Sequence, residues 1–152
     1  MNNLIAYYTR TGTCKSISEE ICKLMEDCEI DEIIDEIDYS GIIGWLKAGY
    51  NETRKKQTTI TYKKNACSFD TVVIVTPVWA NGMTPAIREY IKKELNGFKT
   101  LYIISSCLGS SSIKISAQTA KTVEIAQQTF CITKKEKNRS QVIKEITRLL
   151  SK

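Results

Sequence analysis

Histidine is absent from all 152 residues. The loss removes imidazole, and with it the side chain that a Ser-His-Asp hydrolase, a Cys-His nucleophile or a His-ligated metal site relies on near neutral pH. No apolar stretch approaches the roughly 18 residues needed to cross a bilayer, and the N-terminus shows no basic segment leading into an apolar run. The expectation is a cytoplasmic protein with no membrane partner. The six cysteines (Cys14, Cys22, Cys28, Cys67, Cys107, Cys131) include no Cys-x-x-Cys pair, so they read as reduced thiols rather than as a disulfide framework. Also missing are a Gly-x-x-x-x-Gly-Lys-Ser/Thr run for a triphosphate with magnesium and a Gly-x-Gly-x-x-Gly after the first strand for a dinucleotide. Any chemistry is therefore expected from another cofactor.

The composition is that of an ordinary globular protein, 42% hydrophobic and 26% charged with two prolines, and the length suits a single domain over residues 1–152. The formal charge of +5 is unevenly spread: residues 1–50 hold 4 Lys/Arg against 10 Asp/Glu, and residues 51–152 hold 18 against 7. The lysines are dispersed and no RNA- or DNA-binding module is visible, so a solvated basic surface is favoured over a nucleic-acid partner.

The N-terminal stretch changes character within a few residues. Leu4-Ile5-Ala6-Tyr7-Tyr8 is a short buried strand, Thr9-Arg10-Thr11-Gly12-Thr13-Cys14 a hydroxyl-rich turn, and Lys15-Ser16-Ile17 the start of a helix over residues 13–26. Backbone N–H groups at a helix N-terminus favour an anion, and Thr9, Thr11, Thr13 and Ser16 add hydroxyls. Gly12 permits a φ > 0 bend, and Arg10 brings a full positive charge. The stretch reads as a cradle for a monophosphate; the plainer alternative is a helix capped by a Ser/Thr cluster.

Further along, Ile30, Ile33, Ile34 and Ile37 fit a helix period, but a strand-loop-helix unit needs a parallel return strand here, so a short second strand is placed over residues 31–34. Ile42, Leu46, Gly49 and Tyr50 share one face of a short helix, with Trp45 and Tyr50 expected to pack on the sheet. Residues 57–67 read as a surface connection. Asp70-Thr71-Val72-Val73-Ile74-Val75-Thr76 is a central strand buried on both faces. It runs into Pro77-Val78-Trp79-Ala80-Asn81-Gly82-Met83-Thr84-Pro85, where Asn-Gly marks a turn and Thr84-Pro85 opens a helix. Lys99-Thr100-Leu101-Tyr102-Ile103-Ile104-Ser105 is a fourth strand, followed by the small-residue loop Ser106-Cys107-Leu108-Gly109-Ser110-Ser111-Ser112 and a helix reaching about residue 127. Phe130-Cys131-Ile132-Thr133 is a fifth strand, and residues 140–150 a closing amphipathic helix. This alternation implies a doubly wound α/β sandwich of three layers, its parallel sheet flanked by helices on both faces.

Two loops carry a resemblance. Thr9-Arg10-Thr11-Gly12-Thr13-Cys14 resembles the Thr/Ser-x-Thr-Gly-x-Thr loop with which flavodoxin-like proteins hold the phosphate of FMN, with Cys14 in place of the last hydroxyl. Thr76-Pro77-Val78-Trp79-Ala80, then Gly82 and Met83, is similar to their flavin-ring loop. The resemblance spans nearly the whole chain and fits the short-chain flavodoxin type. It implies a five-stranded parallel sheet of order 2-1-3-4-5, FMN as cofactor, the phosphate on residues 9–14, and the ring between residues 77–83 and Ser106, Cys107, Leu108, Gly109 and Ser110. By position, Trp79 would wall the ring, and Asn81-Gly82 would present backbone groups to its N5 edge.

The loop after the fourth strand carries no aromatic residue where electron-carrying flavodoxins usually place a tyrosine; Cys107 and Leu108 stand there instead. Such an open face suits a nicotinamide or quinone, while the small size and the lack of a separate NAD(P) motif suit an electron carrier. The leading expectation is a carrier serving a redox partner protein or a small electron acceptor; an FMN-dependent NAD(P)H:quinone or acceptor oxidoreductase is the alternative. A third possibility, a binding domain that has lost its flavin, rests only on Cys14. The net basic charge gives one more expectation: a cation about 8 Å from the ring, at an effective dielectric near 20, favours the anionic reduced flavin by roughly 2 kcal/mol. Cys107 itself, with no paired cysteine in the sequence, reads as a small filler.

Overall fold

The computed structural model describes residues 1–53, 57–79, 82–107, 125–126, 128–133 and 139–150, with backbone alone at residues 45, 48, 49 and 51–53. The apolar run at the N-terminus forms β1 (Asn3–Tyr7), and the hydroxyl-rich turn leads into α1 (Thr13–Lys23). Next come β2 (Cys28–Glu32), the two-residue β3 (Ile34–Asp35), α2 (Gly41–Thr53) and β4 (Ile60–Thr61). The central run forms β5 (Thr71–Trp79), which pairs antiparallel with the short β6 (Gly82–Met83) before α3 (Pro85–Glu94). β7 (Leu101–Cys107), β8 (Gln128–Thr133) and α4 (Arg139–Leu150) complete the described elements.

The main sheet runs β2-β1-β5-β7-β8 with every neighbour parallel. With the two-residue strands set aside, this is the expected order 2-1-3-4-5. Successive side chains point to opposite faces, so each buried strand feeds two cores. Leu4, Ala6, Val72, Ile74, Leu101 and Ile103 meet Ala86, Ile87 and Tyr90 of α3 on one side. Ile5, Tyr7, Val73, Val75, Ile104 and Phe130 meet Ile17 and Ile21 of α1 and Ile143 and Ile146 of α4 on the other. Thr84 caps α3 as its sequence suggests, accepting from Ile87 N, with Pro85 in the first turn.

Three expectations are corrected. The second strand lies at Cys28–Glu32, beginning three residues earlier than placed, and Asp31 near its end is buried. A buried carboxylate persists there because its Oδ2 accepts from Lys63 N at 2.8 Å and Lys64 N at 2.7 Å. The stretch at 57–67 is more than a surface connection: Ile60 and Ala66 are buried, and β4 pairs with β3. The helix α2 forms, but Ile42 and Ile43 are each 82% exposed and Leu46 and Tyr50 59%, so its apolar stripe does not pack on the sheet. Gly44, on the opposite side of the helix, is buried and sits so close to the Tyr39 backbone that a β-carbon would overlap the Tyr39 carbonyl. Among the described residues this is the side that α2 turns inward. The side chain of Trp45 and the helix expected before residue 127 lie outside what is described. Among the described residues no helix is long and apolar enough to cross a membrane.

Candidate functional site at the carboxyl edge of the sheet

Because the five long strands are parallel, their carboxyl ends share one edge of the sheet, and β1 and β5 are neighbours although the chain visits β2 between them. In sheets of this kind ligands sit where such a reversal opens a crevice. The loop after β1 and the end of β5 flank that point.

The loop after β1 is tied at its base by Tyr8 N donating to Val75 O at 3.1 Å. Gly12 adopts φ 84°, the left-handed geometry expected of it, and Gly12 N donates to Thr9 Oγ1 at 2.9 Å. The Thr11 and Thr13 hydroxyls lie 3.4 Å apart. The earliest α-helical hydrogen bond of α1 runs from Ser16 N to Gly12 O, so the amides of Thr13, Cys14 and Lys15 precede it. No side chain caps this terminus, and no carboxylate stands in its first turn. The positive end of α1 is open to an external anion. The alternative of a self-capped helix does not hold for these hydroxyls.

Cys14 is 1% exposed and packs with Ile5 and Ile17 inside the core. Burial pushes its thiol up to about 12. The sulfur is thus a core atom, and only the backbone of this residue faces the loop. Ser16 Oγ accepts from Arg139 Nη2 at 3.0 Å, while Arg139 also binds Glu20, which anchors the outer side of α1 to α4. Arg10 is exposed.

At the end of β5, Pro77, Val78 and Trp79 are half-buried. Trp79 meets Tyr8 edge-on at 5.6 Å and Tyr39 at 4.9 Å between ring centroids, a cluster that fixes its orientation. Trp79 therefore belongs to an aromatic group at the sheet edge. Gly82 is half-buried in β6, whereas the Met83 side chain is buried in the core and its carbonyl accepts from Arg88 Nη1 at 2.9 Å. Ala80 and Asn81 lie outside the described residues. At the end of β7, Ser106 is half-buried and Cys107 buried; Leu108, Gly109 and Ser110 again lie outside the described residues.

A cleft of about 280 Å³ opens beside the loop, lined by Tyr8, Thr9 and Arg10 and by residues 32–40. Four carboxylates, those of Glu32, Asp35, Glu36 and Asp38, border it. The Asp35 side chain accepts from the Thr58 hydroxyl and from Ile37 N at 2.9 Å, and burial nonetheless lifts its carboxyl above the usual range. Asp38 accepts from Ser40 N at 2.8 Å and Ser40 Oγ at 3.0 Å, which holds its carboxyl below that range. The basic charge of the whole chain is therefore not the charge at this edge. The place of Tyr8, Tyr39 and the acidic segment at this site escaped the sequence reading, although Asp-x-Ile and Asp-x-Ser are readable as Asx turns. A larger cavity of about 500 Å³, bordered by Met1, Asn3, Met25 and Leu150, lies at the opposite edge, away from the open helix terminus and the aromatic group.

No family model matches the chain, and no curated protein matches it either. Solved structures do. A Bacteroides eggerthii protein provisionally classed as a flavoprotein superposes with a TM-score of 0.78 at 19% identity, over 99% of this chain and 98% of that one. The Lactobacillus acidophilus flavoprotein in complex with FMN gives 0.70 at 19% identity, over 87% and 90%. An NADPH-quinone reductase from P. pentosaceus gives 0.59 at 7% identity, over 100% and 98%. The fold is flavodoxin-like.

Proposed function

We propose that the chain binds FMN at the carboxyl edge of the sheet and carries electrons for a partner protein. The observation that carries this reading is the open N-terminus of α1, bordered by Thr9, Thr11, Thr13 and a left-handed Gly12, with no internal carboxylate to compete for it. These groups fit a phosphate monoester. The amides of Thr13, Cys14 and Lys15 and the neighbouring hydroxyls would hold it, with Arg10 balancing charge. Trp79, braced by Tyr8 and Tyr39, would flank the isoalloxazine from β5, and the segment from Ser106 onward would flank it from β7. Bound FMN supplies the one- and two-electron chemistry. The residues of the chain bind, orient and shield it.

The carrier reading gains support from Glu32, Asp35, Glu36 and Asp38 around the cleft. An acidic rim opposes further negative charge nearby and suits a basic docking partner. Such a rim would favour a low-potential reduced flavin, against the expectation drawn from the chain's net basic charge. A second reading, an FMN-dependent NAD(P)H:quinone or acceptor oxidoreductase, is favoured by the lack of an aromatic residue in the sequence that follows β7, where Cys107 and Leu108 stand instead. Mixing FMN-loaded protein with NADH or NADPH in the absence of oxygen separates the two. A flavin band that persists with nucleotide and is lost with dithionite supports the carrier; rapid bleaching by nucleotide replaces it with the oxidoreductase. Failure of the chain to take up FMN sinks both.

A further inference from the structure

β7 and β8 run parallel with Ser105 opposite Cys131 and Cys107 opposite Thr133. Residues two apart on a strand share a face, so Cys107 and Cys131 are diagonal neighbours on the same side of the sheet. Their Sγ atoms lie 3.2 Å apart. A disulfide needs about 2.05 Å, so closing the bond brings the sulfurs about 1.2 Å closer, with the strand ends yielding to accommodate a diagonal pair. The two thiols differ in access: Cys107 is 8% exposed, while Cys131 is half-buried on β8, the last strand of the sheet order. Across from Cys107, Thr133 Oγ1 is buried with no hydrogen-bond partner among the described residues, leaving a hydroxyl on that face to steady a thiolate.

We propose that Cys107 and Cys131 are a reversible dithiol/disulfide couple that exchanges with low-molecular-weight disulfides, Cys131 as the entry thiol and Cys107 as the resolving one. The Cys131 thiolate attacks one sulfur of the small disulfide, forming a mixed disulfide and releasing one small thiolate. Cys107, deprotonated in turn, attacks the Cys131 sulfur, forming the Cys107–Cys131 bond and releasing the second small thiolate. The two cysteines lose two electrons and two protons, and the small disulfide becomes two thiols. The product ties the carboxyl ends of β7 and β8 together.

The other cysteines compete poorly. Cys14 is a core thiol. Cys22 Sγ is engaged with the Cys28 carbonyl at 3.2 Å, and burial pushes the Cys28 thiol well up. Cys67 is exposed and forms at most a mixed disulfide on its own.

The test is to equilibrate the full chain in reduced and oxidised glutathione at several ratios, block remaining thiols with iodoacetamide, and map the tryptic peptides. Residues 100–114 and 122–134 each form one tryptic peptide containing a single cysteine, so the predicted bond joins just these two. The expected result is that linked pair, reversed by excess reduced glutathione. The Cys107→Ser variant is expected to trap glutathione on Cys131, and Cys131→Ser to leave Cys107 largely unmodified, with far-UV circular dichroism confirming that both fold. Full alkylation of both peptides at every ratio overturns the proposal. So does preferential linkage of Cys22 to Cys28, or glutathione trapped on Cys107 in Cys131→Ser. Should either variant fail to fold, the linked peptides of the unaltered chain decide alone.

Discussion

The helices α1 and α2 both carry apolar residues at helical spacing, yet α1 buries its stripe and α2 turns its stripe to solvent. Ile17 and Ile21 lie in the core beneath α1, whereas Ile42, Ile43 and Leu46 on α2 are exposed. Periodicity marks where a helix has an apolar face; what covers that face depends on how the helix is docked. For α1 the docking follows from the tight β1–α1 connection. For α2 the described residue on the inward side is Gly44, set against the Tyr39 backbone.

The largest effect should come from opening the α1 side. Ile21→Ala is expected to cost about 2–5 kcal/mol in urea unfolding, because it leaves a cavity in the core that α1 and α4 share. Gly44→Ala attacks the docking of α2 and should cost about 1–3 kcal/mol through overpacking. Its signature is faster amide exchange across residues 41–53, and unchanged exchange there would show that the Tyr39 contact does not hold the helix. Gly12→Ala at the entrance to α1 should cost about 1–2 kcal/mol for a left-handed β-carbon, and it should weaken FMN uptake as well.

Cys14 adds a pH signature to α1. Folding raises its thiol from 9.0 to about 12, so the native state holds the proton more tightly than the unfolded chain. Its contribution to stability is complete below pH 9.0 and is lost as the pH climbs towards about 12. Cys14→Ala should flatten that alkaline decline relative to the parent; an unchanged slope would place its origin elsewhere. The smallest effect belongs to the exposed stripe of α2. Ile42→Ala should move stability by no more than about 0.5 kcal/mol, and a loss comparable to that of Ile21→Ala would mean the stripe is covered in solution.

The sheet was legible because its central strands are apolar on both faces and alternate with helical patterns, which pointed to a parallel sheet between helices; its strand order came from the resemblance carried by the two loops. The second strand was misjudged for a definite reason. The four nearby isoleucines fit a helix period, and only the need for a return strand placed one over residues 31–34, whereas the pairing at Cys28–Glu32 tolerates a buried Asp31 through two amides more than thirty residues away. Contacts of that range leave no local trace. The same applies at the site: the bend at Gly12 and the cap at Thr84 are local and were read directly. The core orientation of the Cys14 sulfur, the burial of Met83 and the Tyr8–Trp79–Tyr39 group depend on neighbours from separate strands and loops. Cys107 and Cys131 likewise looked unrelated until the β7–β8 register set them side by side.

Arg139 at the start of α4 grips Glu20 and Ser16 of α1, and Ile143, Ile146 and Leu150 close over the face of β1 and β5. During synthesis the strands of that face are made well before the helix that covers them. Until residues 139–150 have left the ribosome, Ile5, Val73 and Val75 lack the cover that α4 supplies, and the nascent chain presents a greasy half-sheet to chaperones and to other chains. A ribosome that stalls before α4 emerges would hold a chain with one core still open.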